Sequence, residues 1–174
     1  MIADRGLDTE ARDPKYARVE FERRWLVDAS ARPPLDGLSF TLIEDRYIEG
    51  TRLRLRRMAR GARTVLKLTK KYDAPQPRAR LIVTAYLTEA EHAVFAALPA
   101  RVLIKRRFSL AVDDQEWSLD LFDGPLAGLE LLEAEAADEA ALAALVPPAW
   151  TVKEVTHDPR YQCGALAQTL AIPE

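Results

Sequence analysis

The sequence predicts a mainly β (α+β) domain, an eight-stranded antiparallel barrel forming a tunnel with a polar, charged interior and carrying a few short helices on its outside. Three observations lead there. From Arg18 onward, apolar and charged residues alternate in run after run, the period of a strand with two unlike faces. Turn residues separate the runs at short intervals, as antiparallel hairpins require. The charged parity is also sorted by sign from run to run, which a merely solvated face does not need.

The runs place strands at about residues 18–27, 40–49, 51–60, 63–71, 79–87, 101–112, 115–123 and 127–136, and eight suffice to close a barrel. In "VEFERRWLV", Glu20, Glu22 and Arg24 share one parity while Val19, Phe21, Trp25 and Val27 share the other. "TRLRLRRM" puts Arg52, Arg54 and Arg56 opposite Leu53 and Leu55, and "TVLKLTKK" sets Lys67 between Leu66 and Leu68. "LIKRRF" aligns Lys105 with Arg107, "WSLDLF" sets Asp120 between Leu119 and Leu121, and "LLEAEAA" pairs Glu133 with Glu135.

Three helices accompany the strands. "TEAEHAVFAAL" opens with Thr88 and, three residues on, Glu91, a capping box, and its Val94, Phe95 and Leu98 form a face expected to lie against the sheet. "DEAALAAL" runs from Asp138 and stops before Pro147-Pro148. "DPRYQCGALAQTL" starts with Asp158 as N-cap and Pro159 in the first helical position. Residues 1–15 lack periodicity and read as a tail, leaving 16–174 as one domain.

A net charge of −2 supplies no basic surplus, so neither nucleic acid nor a membrane surface is expected as a partner. No run approaches the ~18 apolar residues of a membrane span. Cys163 is the single cysteine, which points to a cytoplasmic protein and a small buried side chain rather than a nucleophile. His92 and His157 are isolated, so no zinc site is expected. Trp25 and Trp117 fall on apolar parities and read as packing.

Two readings of the charged rows compete: a wet outer face, or the wall of a polar cavity. Three same-face arginines sit about 7 Å apart and repel unless an anion bridges them, and the guanidinium fork matches phosphate oxygens two at a time. Carboxylates at i and i+2 repel likewise unless a cation lies between them, and hard oxygen ligands suit Mg²⁺ or Mn²⁺. If the rows turn inward, Glu20, Glu22, Asp120, Glu133 and Glu135 face Arg24, Arg52, Arg54, Arg56, Lys67, Lys105 and Arg107. The apolar parities then face outward, to be covered by the helices or by the partner chain of a homodimer.

This set of motifs resembles the CYTH family, the triphosphate tunnel metalloenzymes, over most of the chain. The family's E-x-E-x-K strand is met by Glu20-Phe21-Glu22-Arg23-Arg24, with arginine in the lysine place. The remaining motifs follow in order as "RLRLR", "VLKL", "IKRRF", "SLDLF" and "LEAEA", and "DPRY" matches a family ending that carries Arg160 and Tyr161 to the tunnel mouth.

The resemblance implies metal-dependent hydrolysis of a triphosphate, inorganic triphosphate being the expected substrate. Arg24, Arg52, Arg54, Arg56, Lys67, Lys105 and Arg107 would hold the phosphates, and Glu20, Glu22, Asp120, Glu133 and Glu135 the Mg²⁺ or Mn²⁺. Glu20, Glu22, Arg24 and Asp120 are the catalytic set, with Asp120 either taking a second ion or orienting the attacking water. The fifth strand departs from the family: Pro77 to Thr84 contains no acid, while Arg78 and Arg80 add positive charge. That departure supports an alternative, a catalytically weak or inactive binder of polyphosphate or organic triphosphates. Adenylate cyclase and thiamine triphosphatase are the other family activities in play.

Overall fold

The computed structural model describes residues 16–72 and 78–174; the expected tail, residues 1–15, lies outside them. Among the described residues nine strands form, β1 (Arg18–Val27), β2 (Thr41–Ile48), β3 (Leu53–Arg60), β4 (Arg63–Lys71), β5 (Ala79–Tyr86), β6 (Ala100–Val112), β7 (Gln115–Phe122), β8 (Glu130–Ala136) and β9 (Thr151–Glu154). All neighbours are antiparallel, in the order β5-β4-β3-β2-β6-β7-β8-β1, and β1 returns to β5 through Arg18↔Ile82 and Glu20↔Arg80 to close an eight-stranded barrel. β9 is additional: it takes the edge of β1 that β5 has left, pairing Trp25 with Glu154.

Local sequence explains the tight corners. Asp113 and Asp114 both adopt positive φ, 51° and 60°, between β6 and β7. This is a mirror-image turn whose twist matches the flanking strands, and aspartate tolerates it. β8 begins at Glu130, three residues later than the alternation suggests, because Gly124–Leu126 form a 3₁₀ turn and Gly128 takes a φ of 98°.

The helices divide between outside and inside. α1 (Glu89–Ala96) has the expected capping box, Glu91 N donating to Thr88 Oγ1 and Thr88 N to Glu91 Oε2 at 2.7 Å. It rests on β3 and β4, and Arg46 Nη2 donates to the Ala96 carbonyl at 3.0 Å. The packing is thin, since Val94 stays 68% exposed and no α1 residue is buried. α2 (Glu139–Ala144), capped by Asp138, is tied to the barrel by Arg23, which donates to the carbonyls of Leu142 and Leu145. The same guanidinium lies 4.6 Å over Trp25 and pairs with Glu154 of β9.

On the outer face of β1, β6, β7 and β8, Trp25, Phe108, Trp117, Leu119, Leu132 and Ala134 pack together, with the two tryptophan rings edge to face at 5.5 Å. Leu35, Leu145 and Trp150 cover them. Phe40, Leu42 and Ile104 remain exposed. Among the described residues no helix is long and apolar enough to cross a membrane.

α3 (Cys163–Thr169) departs from the expectation that every helix lies outside. Leu166 and Ala167 pack with Leu103, Phe122 and Leu131, all on the inward parity of their strands, together with Leu126, Leu129, Val155 and Tyr161. One end of the barrel is therefore filled by an apolar core, and α3 closes it. Helix does not run straight from Asp158: Pro159–Tyr161 form a 3₁₀ turn, Gln162 is extended, and the Tyr161 carbonyl turns to accept from Arg24 Nη1 at 3.1 Å.

Candidate active site

Beside the apolar end lies a cavity of about 340 Å³ inside the barrel. The strand alternation delivers its walls: β1 supplies Glu20, Glu22 and Arg24, β3 Arg52, Arg54 and Arg56, β6 Lys105 and Arg107, and β8 Glu133 and Glu135. Ten of the predicted site residues thus share one enclosed space. Asp120 is wholly buried behind Lys105 and Arg107. Lys67 keeps the inward parity but sits 5.2 Å over the ring of exposed Tyr86 and does not line the cavity.

The wall built by β1, β6, β7 and β8 is interlocked. Arg24 donates through Nε to Glu133 Oε1 at 2.8 Å and through Nη2 to Glu22. Arg107 forks onto Asp120 at 2.7 and 2.6 Å and reaches Glu133 as well. Lys105, 1% exposed, donates to Asp120 and lies 3.6 Å from Cys163 Sγ. Burial alone would raise the Glu133 carboxyl, but Lys105, Arg24 and Arg107 outweigh it and hold Glu133 well below the usual carboxylate range.

β2 adds an acid that the strand patterns did not single out. Asp45, fully buried and opposite Arg56, accepts both arms of that guanidinium at 2.6 Å. Burial opposes its ionisation, yet Arg56 and Arg54 bring its pKa down to about 2. Glu44 beside it masked the signal in "LIEDRY"; counting back across the β2–β3 turn from Arg56 finds it.

On the wall built by β3, β4 and β5, Arg56 is locked to Asp45 while Arg54 and Arg80 are loosely tied. Arg54 Nε lies 3.7 Å from Asp45 Oδ1 and is buried without a hydrogen-bond partner, while its Nη2 reaches Thr69 Oγ1 only at 3.5 Å. Lys71 donates to Glu20 at 2.7 Å. Arg80 lines the cavity with no ion pair to any described residue. Arg52 lies 5.8 Å from the Tyr72 ring. Arg78 leaves the interior for Glu154, and Arg160 pairs with Asp158 at the surface rather than at the tunnel mouth.

Among the described acids that line the cavity, Glu135 makes no ion pair with a basic group. Partial desolvation at the cavity's exposed rim, then Glu20 and Glu22, raise its carboxyl above the ordinary value against a smaller opposing pull from Arg107. Glu22 and Glu135 are direct cross-strand neighbours. No three acidic, histidine or cysteine groups among the described residues converge as a ready-made metal cage. The hard oxygen donors of Glu20, Glu22 and Glu135 nevertheless fit a divalent cation by charge and chemistry.

The sequence patterns also passed over Tyr47, Lys71, Tyr72 and the half-buried Cys163, all of which line the cavity. Tyr47 and Cys163 read as ordinary packing residues until the barrel closes around them.

No family model matches the chain. An inorganic triphosphatase of Nitrosomonas europaea is 33% identical to it over 160 residues, covering 89% of this chain and 99% of that protein. Among solved structures, the crystal structure of an inorganic triphosphatase aligns with a TM-score of 0.56 at 30% identity, over 89% of this chain and 97% of the other. A protein from Pyrococcus horikoshii aligns with a TM-score of 0.50 at 17% identity, over 69% of this chain and 78% of its own, and shares the fold.

Proposed function

The chain belongs to the CYTH family of triphosphate tunnel metalloenzymes, and from that premise we propose that it hydrolyses inorganic triphosphate to phosphate and diphosphate within the charged half of its barrel. The observation that carries this reading is the enclosed cavity with loosely tied cations on one wall and a carboxylate cluster on the other. A linear polyanion laid along Arg52, Arg54, Lys71 and Arg80 meets positive charge at successive phosphoryl groups.

Phosphoryl transfer needs position and neutralisation more than covalent help. Arg54 and Arg80 bind the chain, and Arg24, Lys105 and Arg107 shift from Glu133 and Asp120 toward phosphate oxygens as negative charge enters. Water attacks a terminal phosphorus in line; one P–O bond forms, the bridging P–O bond breaks, and the arginines neutralise the departing diphosphate. The water's proton passes to a carboxylate of the acidic wall. Glu20, Glu22 and Glu135 would hold Mg²⁺ or Mn²⁺, which when bound supplies Lewis-acid neutralisation of the phosphate chain. Glu133 and Asp120, held in ion pairs, orient the cations, and a cytoplasmic setting belongs to the same reading.

Phosphate release from inorganic triphosphate, measured with Mg²⁺ and with Mn²⁺, is the test. Turnover abolished in Glu22→Gln, Glu135→Gln supports hydrolysis, and turnover no greater than that variant's rejects it. The second reading, a polyphosphate or organic-triphosphate binder without turnover, is favoured by the inward face of β5, which carries Arg80, Ile82 and Thr84 and no acid. It predicts tight calorimetric binding of triphosphate in EDTA. Thiamine triphosphate and ATP in the same assays separate the remaining family activities.

A further inference from the structure

The sequence leaves Asp120 a choice between taking a second ion and orienting the attacking water, and its surroundings argue against the ion. Both of its oxygens are occupied: Arg107 forks onto them at 2.7 and 2.6 Å, and Lys105 donates as well. Asp45 gives both oxygens to Arg56, and Glu133 gives one to Arg24 and the other to Arg107. A carboxylate saturated by fixed cations has little capacity left for a metal. Among the described residues, Glu20 and Glu22 each keep one oxygen without a hydrogen bond and Glu135 keeps both. All three lie on β1 and β8.

Any further acid would have to come from β5, which closes the barrel against β1. Glu22 N donates to the Arg78 carbonyl at 3.0 Å, and next along the pair Glu20 stands directly opposite Arg80. Both side chains line the cavity, and the Cβ atoms of such a cross-strand pair lie about 4.5–5.5 Å apart. A guanidinium therefore stands where a carboxylate would extend the acidic row. Arg80 makes no ion pair with a described residue, because Glu20 already accepts from Lys71 Nζ at 2.7 Å.

The balance of charge points the same way. Among the described residues eight arginines and lysines line the cavity against four glutamates. With Asp45 and Asp120 buried behind them, a surplus of two positive charges remains. Inorganic triphosphate near neutral pH carries about four to five negative charges, since its terminal groups titrate at about pH 6. One divalent ion brings site and substrate close to neutrality, whereas a second overshoots.

We infer that Arg80 stands in for a second metal ion: it supplies from β5 the positive charge that a further ion beside Glu20 would bring, so that the site takes a single divalent ion, at the acids of β1 and β8. The inference rests on the triphosphate reading of the cavity and concerns how the charge of that substrate is met. A divalent cation and a guanidinium a few ångströms apart repel, so Arg80 and an ion beside Glu20 exclude one another.

The test counts ions. Mn²⁺ is titrated into the full chain with an equimolar amount of imidotriphosphate, an analogue whose P–N–P bridges resist hydrolysis. Electron paramagnetic resonance reads the free Mn²⁺, and the analogue alone is the blank. Wild type is expected to bind one Mn²⁺ per chain and Arg80→Glu two. A wild type that binds two, or an Arg80→Glu that melts cooperatively and binds one, overturns the inference.

Arg80→Gln, which subtracts the charge without offering a strong ligand, guards against an Arg80→Glu that fails to fold. The gain in analogue affinity on adding Mn²⁺ is expected to be about tenfold larger in Arg80→Gln than in wild type, an ordinary size for coupling between two groups that act on one ligand. An equal gain in both also overturns the inference. A wild type that binds one ion but releases no phosphate from triphosphate removes hydrolysis and keeps the role of Arg80. Release of phosphate with two ions bound does the reverse, and binding of neither ion nor analogue removes both.

Discussion

Both walls of the cavity carry cations but treat them differently. Along β1, β6, β7 and β8, Arg24, Lys105 and Arg107 are each locked to Glu22, Asp120 or Glu133. Along β3, β4 and β5, Arg54 and Arg80 have no close carboxylate of their own, and Lys71 holds a single one. The lesson is that a count of arginines per strand does not say which of them are available to a ligand. Cross-strand register does, because it decides which arginine meets an acid. Substitutions on the first wall should cost stability and activity together, whereas those at Arg54 and Arg80 on the second should cost affinity alone.

The largest effect is expected at Asp120, which is fully buried under Lys105 and Arg107. Asp120→Asn leaves a buried ammonium without its anion, and removing one partner of such a pair costs about 3–5 kcal/mol. Chemical denaturation should read that loss, with triphosphatase turnover falling alongside it. Asp120→Leu, Lys105→Met should recover much of the stability but not the turnover. A stable, inactive Asp120→Asn would instead make Asp120 a participant in the chemistry.

Asp45 comes next and carries a pH signature. Its folded pKa of about 2 lies below its ordinary value of 3.8, so its stabilisation is complete above 3.8 and is lost as pH falls toward 2. Over that window the unfolded chain binds one more proton, and stability declines by about 1.4 kcal/mol per pH unit. Glu133 is shifted in the same sense. Glu135, whose pKa is raised, acts oppositely: its ionised form costs stability at neutral pH, and the cost is relieved as pH falls through its folded value. Asp45→Asn should flatten the acid limb of a denaturation profile, and a limb unchanged in slope would show that Arg56 does not depend on it.

On the other wall, Arg80→Ala should raise the Kd for triphosphate by about one to two orders of magnitude, on the basis of one charge-assisted phosphate contact of about 1.5–3 kcal/mol. Its melting temperature should not fall, because no ion pair to a described residue is broken. A destabilised Arg80→Ala would erase the distinction between the walls.

How much of this was legible follows from what a side chain can reveal about itself. Parity is a property of one strand, so the inward rows of β1, β3, β6 and β8 could be read from alternation, and with them ten residues of the cavity. Asp45 could not be read that way: Glu44 and Arg46 flank it with charge on the opposite parity, and only pairing with Arg56 exposes its role. β9 was missed because four residues, Thr151–Glu154, give too little alternation, and the edge they join exists only once β5 leaves β1. The placement of α3 was hidden for a different reason: Leu166 and Ala167 look the same whether they cover a barrel or fill one.

The smallest effect sharpens the comparison most cheaply. Lys67 shares its strand and parity with Lys71, and its motif resembles that of a phosphate ligand, but it sits against Tyr86 outside the cavity. A cation over an exposed ring contributes about 0.5–1 kcal/mol, so Lys67→Ala should lower stability slightly and change the Kd for triphosphate less than twofold. Lys71→Ala, four residues along, frees Glu20 and removes a cation from the cavity, and should weaken binding at least severalfold. If Lys67→Ala weakened binding as much as Lys71→Ala, the phosphate chain would have to extend past Thr69, and the division between tied and available cations would end at a different place along β4.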